Sequence, residues 1–194
     1  MAKKTLREEI NIFGSKVEEN RIIIGNSATQ ENHHLEVFDM LEHLKNEDIK
    51  IFCPLSYGDN EYGKKVAEEG ARIFGEKFVP IFDFMNYEEY LKFLSEIKIG
   101  IFYNDRQQAM VNIEMMIIMG KKVFIRKNTS MWLEYLSSDL KLFDADQIKD
   151  MTIDEFSEFD EDTGKENNAL MRKRNTTQIE CWKNILEDLG EINE

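Results

Sequence analysis

Residues 97–126, IKIGIFYNDRQQAMVNIEMMIIMGKKVFIR, contain two short apolar runs separated by a polar turn and a helix-length apolar segment. The runs Ile97–Phe102 and Lys122–Arg126 are rich in Ile, Val and Phe and show little polar alternation, which is typical of strands buried on both faces. The segment between them, Ala109–Met119, is apolar almost all round and predicts a central helix. This strand–helix–strand pattern indicates a parallel sheet covered by helices.

The same alternation of strands and helices continues through the rest of the chain. Further strand candidates are Arg21–Ile24, Ile49–Cys53, Phe78–Phe82 and, more weakly, Leu140–Phe143. Two capping boxes, Asn86 with Glu89 and Thr152 with Glu155, predict helix starts. We therefore predict an α/β fold: a single Rossmann-like domain with a parallel sheet of about six strands and helices on both faces.

The two ends of the chain differ from its middle. We assign residues 1–20 to a polar lead-in or linker, residues 21–164 to the Rossmann-like domain and residues 165–194 to a C-terminal helix. That helix has an apolar stripe, formed by Ile179, Trp182, Leu186 and Leu189. Because an uncovered stripe sacrifices burial energy, we expect it to be covered by the apolar lead-in residues (Ile10, Ile12 and Phe13) or by a second copy of the chain in a homodimer.

Composition excludes several classes of function. The chain of 194 residues carries 25 basic and 38 acidic residues, for a net charge of −13, which disfavours general nucleic-acid binding. No apolar run approaches the roughly 20 residues of a membrane-spanning helix, and the first residues lack the apolar core of a secretory signal, so we expect a cytoplasmic protein. Its two cysteines lack CxxC spacing, and we expect neither a metal nor a cofactor.

In an open parallel sheet, ligands bind beyond the carboxyl ends of the strands, so the turn after the first strand is a candidate site. It reads GNSATQENHH, residues 25–34. Gly25 allows close backbone approach, Ser27 supplies a hydroxyl, and unpaired amides near the helix start suit an anion such as phosphate. His34 is a candidate phosphate or sugar contact, whereas two adjacent histidines do not make a metal site. Helix capping alone is the alternative explanation of this turn.

The turn after the fourth strand contains Arg106, Gln107 and Gln108. Arg106 is predicted to lie in the first helical turn, where a cation is unfavourable without a neighbouring anion. Asp105, as N-cap, could be that anion, and this would make Arg106 purely structural. A bound diphosphate is the other interpretation, and the two glutamines favour it because Asp105 alone does not require them.

These turns together resemble one family. The matching elements are GNSAT (25–29) followed by N-x-H-L-E (32–36), PLSYG (54–58), YEEYL (87–91), RQQA (106–109) and Arg126-x-Asn128 with Trp132. From Arg21 to Leu186 the chain is similar to the carboxyl-terminal half of TDP-N-acetylfucosamine:lipid II N-acetylfucosaminyltransferases, in the 4-α-L-fucosyltransferase family.

The resemblance implies a GT-B glycosyltransferase, built from two Rossmann-like domains. The family's reaction moves 4-acetamido-4,6-dideoxygalactose from dTDP to a polyprenyl-diphosphate-linked saccharide at the inner face of the cytoplasmic membrane. The implied partners are a dTDP-sugar and, through an N-terminal domain that this sequence lacks, a lipid-linked acceptor. Peripheral membrane association is implied for the full-length enzyme.

The resemblance also implies roles for individual residues. Arg106, Gln107 and Gln108 would meet the diphosphate, helped by Gly25 and Ser27. Phe84, Met85 and Asn86, after the third strand, would form the base pocket, and Asn112 would reach the ribose or sugar. Arg106 would stabilise the leaving group without a metal, while no general base is identified.

Two alternatives remain open at this point. One is a non-catalytic module of the same fold that binds a nucleotide-sugar or a partner protein. The other is a flavodoxin-like or receiver-type regulator, since one fold hosts many functions. A receiver needs clustered acidic residues at the end of its first strand, and Gly25–Thr29 contains none.

Overall fold

The computed structural model describes residues 20–191, except for the side chains of residues 182, 183 and 186–191. Six parallel strands form one sheet: β1 (Asn20–Ile24), β2 (Ile49–Pro54), β3 (Phe78–Ile81), β4 (Ile99–Phe102), β5 (Lys122–Ile125) and β6 (Phe143–Asp144). The helices are α1 (His34–Leu41), α2 (Asn60–Phe74), α3 (Tyr87–Glu96), α4 (Met110–Ile118), α5 (Ser130–Leu136), α6 (Ile153–Ser157) and α7 (Glu161–Glu191). The predicted α/β fold is confirmed.

The strand order in the sheet is β3-β2-β1-β4-β5-β6. The chain therefore winds outward from β1 to one edge and then returns to the centre at β4 and winds to the other. In β1 and β4 the central register pairs Ile23 with Gly100. A crevice forms at the carboxyl ends of β1 and β4, where the winding direction reverses, and this is the usual ligand position of such sheets.

Alternate side chains of each strand point to opposite faces of the sheet, and each face has its own core. Ile22 and Ile24 of β1 pack with residues of α1, α2 and α6, whereas Ile23 packs with residues of α3, α4, α5 and α7. The strands lack polar alternation because helices cover both faces. This arrangement leaves the strand ends, rather than the faces, free to carry function.

Local signals located two of the helix starts and most of the strands. Both predicted capping boxes are confirmed, at Asn86 with Glu89 and at Thr152 with Glu155. The weak sixth strand lies at Phe143–Asp144 instead of Leu140–Phe143, because only these two residues pair with β5.

The helix α7 begins at Glu161, just before the predicted boundary at residue 165. Its early turns belong to the domain, since Asn167 and Met171 are buried and the Asn167 side chain bonds both the amide and the carbonyl of Lys141. Farther along, Ile179 is 57% exposed. The expected cover of the stripe involves residues 1–19 and the side chains of Trp182, Leu186 and Leu189, which lie outside the described part of the chain. The covered stripe and the homodimer therefore stay predictions.

Within residues 20–191, no helix combines the length and the apolar character required to cross a bilayer.

A glycine inside α2 provides a test of the packing between α2 and β3. A Cβ on Gly70 would lie 2.4 Å from the ring of Phe78. Replacement of Gly by Ala inside a helix ordinarily stabilises a protein by as much as about 1 kcal/mol. We expect Gly70→Ala instead to lower the free energy of unfolding by about 1–3 kcal/mol, because overpacking outweighs helix propensity.

Urea denaturation measures this change, with the exposed position Glu68→Ala as a control that stays within about 0.5 kcal/mol of the parent. A stabilised Gly70→Ala protein would contradict the packing described here.

Candidate functional site

The turns that follow β1 and β4 meet at the crevice. The amide of Gly25 donates to the carbonyl of Ile101 at 3.0 Å, which extends the pairing of the two strands to the start of the turn. Beyond this point the chain after β1 forms a short 3-10 turn, Gln30–Asn32, before α1 begins at His34. The two predicted phosphate-binding turns are therefore neighbours.

Two buried asparagines join these turns. The Asn104 side chain, in the turn after β4, donates its amide to Oδ1 of Asn32 at 3.1 Å, and both residues are 0% exposed. The Asn32 amide donates in turn to Oγ1 of Thr29 at 2.8 Å and to the hydroxyl of Ser27 at 3.2 Å. The backbone amide of Asn26 donates to the same Oδ1 of Asn32. The turn is thus built around Asn32, and the Ser27 hydroxyl points into it.

Glycine is required at position 25. Its φ is +65°, and a Cβ there would lie 2.7 Å from Oδ1 of Asn32 and 2.8 Å from Nε2 of His34. The His34 side chain is fully buried, with Nδ1 3.3 Å from the Tyr62 hydroxyl. Burial, with a smaller contribution from His33, lowers the pKa of His34 to about 4, so the imidazole is neutral at pH 7. His34 thus packs against the turn at Gly25, and its side chain is not accessible to a ligand in this conformation.

The turn after β2 supports the turn after β1. The Ala28 amide donates to the carbonyl of Tyr57 at 2.6 Å, and the Asp59 amide donates to the carbonyl of Ala28 at 2.8 Å. Gly58, at φ +113°, is required because a Cβ would lie 2.6 Å from the Ala28 oxygen. The amides of Gly25, Asn26, Ala28 and Thr29 all donate within the protein. This turn therefore gives shape to the crevice more than it gives free donors.

The loop after β4 differs from the prediction. The helix α4 begins at Met110, after Ala109 in the left-handed conformation at φ 56°. The expectation that Arg106 lies in the first helical turn, with Asp105 as N-cap, is wrong. Asp105 accepts instead from Arg126, at the end of β5, and contacts Nε2 of His33 at 2.7 Å. These two partners hold Asp105 in the loop and prevent it from capping a helix.

The three polar residues of this loop have different partners. Arg106 is 66% exposed at its side chain and donates to Oε1 of Glu31 at 3.0 Å. Gln107 donates to Oε2 of Glu134 at 2.8 Å, and Gln108 accepts from the Asn104 amide at 3.1 Å. The ion pair between Arg106 and Glu31 is thus screened by solvent and weak.

The mouth of the crevice contains a network of charges. It borders an open groove of about 550 Å³, lined by Thr29, Gln30, Glu31, His33, Asp59 and Asp105. Partial burial of His33 acts to lower its pKa, but hydrogen bonds to Asp105 and Glu36 outweigh this effect and raise the pKa above its usual value. The bond to His33 and the neighbouring Arg126 lower the pKa of Asp105. The guanidinium of Arg126 also lies 4.6 Å from the Tyr103 ring centre.

The predicted base-binding segment lies after β3, on the far side of β2 from β1. Phe84 is 86% exposed and Met85 is half-buried, while Asn86 caps α3 by accepting from the Glu89 amide at 3.0 Å. Tyr87 and Val111 border one groove between α3, α4 and α7. Asn112, which follows Val111, is half-buried in the first turn of α4.

Asn32, Asn104, Glu31 and Glu134 are site residues without a role predicted from the sequence. Asn104 and Asn32 are polar residues next to apolar strands, which is a general sign of buried hydrogen bonding, but their pairing spans a separation that no local pattern reveals. Within residues 20–191 no group of three or more His, Cys, Asp or Glu side chains is arranged to hold a metal ion.

Solved glycosyltransferases share this architecture. A trehalose-6-phosphate synthase, OtsA, superposes with a TM-score of 0.68 at 13% identity, over 88% of this chain and 44% of that one. The trehalose-phosphate synthase (UDP-forming) of Burkholderia vietnamiensis gives 0.65 at 10% identity, over 89% and 45%. The C-terminal domain of the group 1 glycosyl transferase LpcC of Francisella tularensis gives 0.61 at 12%, over 79% and 84%.

These identities establish the GT-B fold alone, and the chain spans less than half the length of the two synthases. The family model described as 4-alpha-L-fucosyltransferase, glycosyl transferase group 56, matches residues 5–188, which is nearly the whole chain. The chain therefore belongs to the 4-alpha-L-fucosyltransferase family of glycosyltransferases, group 56.

Proposed function

We propose that this chain is the donor-binding, carboxyl-terminal half of a transferase that moves 4-acetamido-4,6-dideoxygalactose from dTDP to a polyprenyl-diphosphate-linked saccharide. The acceptor would bind mainly to a second Rossmann-like domain, and the whole enzyme would act at the inner face of the cytoplasmic membrane. Family membership supports the transfer reaction, and the coverage of less than half of the two synthases is consistent with one domain of two.

The observation that carries the proposal is the position of Arg106 in the loop after β4, opposite the Gly25 turn at the crevice. A guanidinium binds a diphosphate with charge-assisted, two-pronged hydrogen bonds. Gln107 and Gln108 add amide donors from the same loop, and Gly25 joins the facing turn to the end of β4 through Ile101. The buried amides and hydroxyls around Asn32 set the shape of the crevice without adding charge.

The proposed chemistry needs little from this domain beyond charge stabilisation. As the bond from the anomeric carbon to the β-phosphate oxygen breaks, its electron pair passes to that oxygen of the departing dTDP. The acceptor hydroxyl oxygen forms the new bond to the anomeric carbon and would give its proton to a base that is not among the residues assigned here. Arg106, once it releases Glu31, would stabilise that developing negative charge in a fixed orientation. The thymine would stack near the exposed Phe84 with Met85 and Asn86 beside it, and Asn112 would reach the ribose or sugar.

A non-catalytic nucleotide-sugar-binding or partner module is the second candidate. The acidic mouth of the crevice favours the partner-module form of this candidate, since Glu31, Asp59 and Asp105 all border the groove and repel an anionic ligand. The two candidates differ in transfer activity once the acceptor domain is supplied, and in whether loss of Arg106 affects turnover more than binding.

The first prediction concerns nucleotide choice. We expect the isolated chain to bind dTDP saturably in calorimetry, and thymidine much more weakly, because the diphosphate makes the charge-assisted contacts. UDP in place of dTDP tests the base pocket. The absence of saturable binding at millimolar dTDP, in a correctly folded chain, would refute the donor-site proposal.

A second prediction concerns Arg106. We expect Arg106→Ala to weaken dTDP binding by about 1.5–3 kcal/mol, the range for a hydrogen bond to a charged group. Thermal unfolding should change little, because exposed ion pairs contribute about 0–1 kcal/mol.

Arg72→Ala is the matched control, since Arg72 makes a similar exposed ion pair with Glu69 on α2. A large loss of stability in Arg106→Ala with unchanged dTDP affinity would show that Arg106 is only structural.

A third prediction concerns Glu31, which competes with the ligand for Arg106. We expect Glu31→Gln to tighten dTDP binding about two- to fivefold, because the ligand no longer has to break one exposed ion pair of Arg106. Glu42→Gln, which removes a similar pair with Lys45, should leave the affinity unchanged.

The gain should vanish in an Arg106→Ala background, as measured by the same calorimetric titration. If Glu31→Gln weakens binding, Glu31 is a ligand-supporting residue and the competition is refuted.

A further inference from the structure

The carboxylate of Glu134 joins two parts of the molecule that are distant in sequence. Its Oε2 accepts from the side-chain amide of Gln107 at 2.8 Å, and its Oε1 accepts from the guanidinium of Arg174. Gln107 belongs to the loop after β4, Glu134 to α5 and Arg174 to α7. One side chain in the candidate site is therefore hydrogen-bonded to the last helix through a single intermediate residue.

Several contacts fix the position of the Arg174 side chain. Its side chain is 10% exposed, and a second hydrogen bond of 3.0 Å joins it to Glu114 on α4. Its guanidinium also lies 5.5 Å from the ring centre of the buried Tyr135. Charge-assisted bonds from a planar, mostly buried guanidinium fix the direction of the Glu134 carboxylate.

Gln107 has no comparable restraint of its own. The residue is exposed, and its side-chain amide donates to Glu134 at 2.8 Å. A side chain ordered before binding loses less rotamer freedom when the ligand arrives. The direction in which Gln107 presents its amide thus depends on contacts made more than 60 residues later in the chain.

We propose that Glu134 and Arg174 are positioning residues that orient Gln107 for the donor diphosphate, so that the geometry of the crevice depends on α7. This inference rests on the proposed function for its ligand, while the coupling of the loop to α7 does not. A purely structural ion pair is the competing explanation: it would stabilise the packing of α4, α5 and α7 without any effect on the loop.

The first experiment needs no nucleotide. The side-chain amide of Gln107, identified by its loss in Gln107→Ala, is followed by the ¹⁵N heteronuclear NOE. We expect an ordered value in the parent, a flexible value in Arg174→Met, and recovery in Arg174→Lys, which keeps one charged donor. Glu166→Gln removes the α7 pair with Lys141 and should leave the Gln107 amide ordered.

If the Gln107 amide stays ordered in folded Arg174→Met, the coupling is overturned. Should Arg174→Met fail to fold, Glu134→Gln replaces it, because Glu134 is about one-third exposed and its change is isosteric.

The second experiment is a double-mutant cycle in dTDP affinity. We expect Arg174→Met to weaken binding about three- to tenfold in the parent and to have no further effect in Gln107→Ala. Equal effects in both backgrounds would refute positioning through Gln107. If the parent does not bind dTDP, the proposed function fails, and the NMR experiment alone still decides whether α7 orders the loop.

Discussion

The hydrogen bond between the buried side chains of Asn32 and Asn104 is the constraint on which the rest of the crevice depends. A buried amide that loses its partner costs about 1–3 kcal/mol, so each asparagine keeps the other in place. Through Asn32 the contact extends to Ser27 and Thr29, and through Asn104 it extends to Gln108. The turns after β1 and β4 consequently behave as one unit, although they are separated by three strands and three helices in the chain.

Charge is confined to a second, outer layer of the crevice. Asp105 joins His33 to Arg126, and Glu31 holds Arg106, whereas the inner layer consists of neutral amides, hydroxyls and a neutral His34. Surface ion pairs are weak and exchangeable, but buried amides are not. A phosphate that enters the crevice would therefore rearrange the outer pairs while the backbone shape beneath them persists.

The fold was largely predictable from the chain, because strands buried on both faces leave a compositional signature and capping boxes have fixed spacing. The start of α4 was not predictable. Asp105 is a good N-cap residue and Ala109 a good helix former, so local propensity places the helix start too early.

Tertiary contacts overrule that preference: His33 and Arg126 engage Asp105, and Ala109 adopts a left-handed conformation. The Asn32–Asn104 contact and the path from Gln107 to Arg174 join residues far apart in sequence, and a single sequence contains no signal for them. The polar turns could be located from the chain, whereas their partners could not.

The first turns of the last helix are packed against the domain. A Cβ at Gly164 would lie 2.9 Å from the Gly120 carbonyl oxygen, and among the described side chains of α7 burial ends near Arg174. The remainder of the helix continues for roughly 25 Å, with exposed side chains wherever they are described. Such a rod is a lever arm: a modest lateral force at its far end produces a large torque at the anchored turn. A force applied at this end would therefore act on the buried turns of α7 that carry Met171 and Arg174.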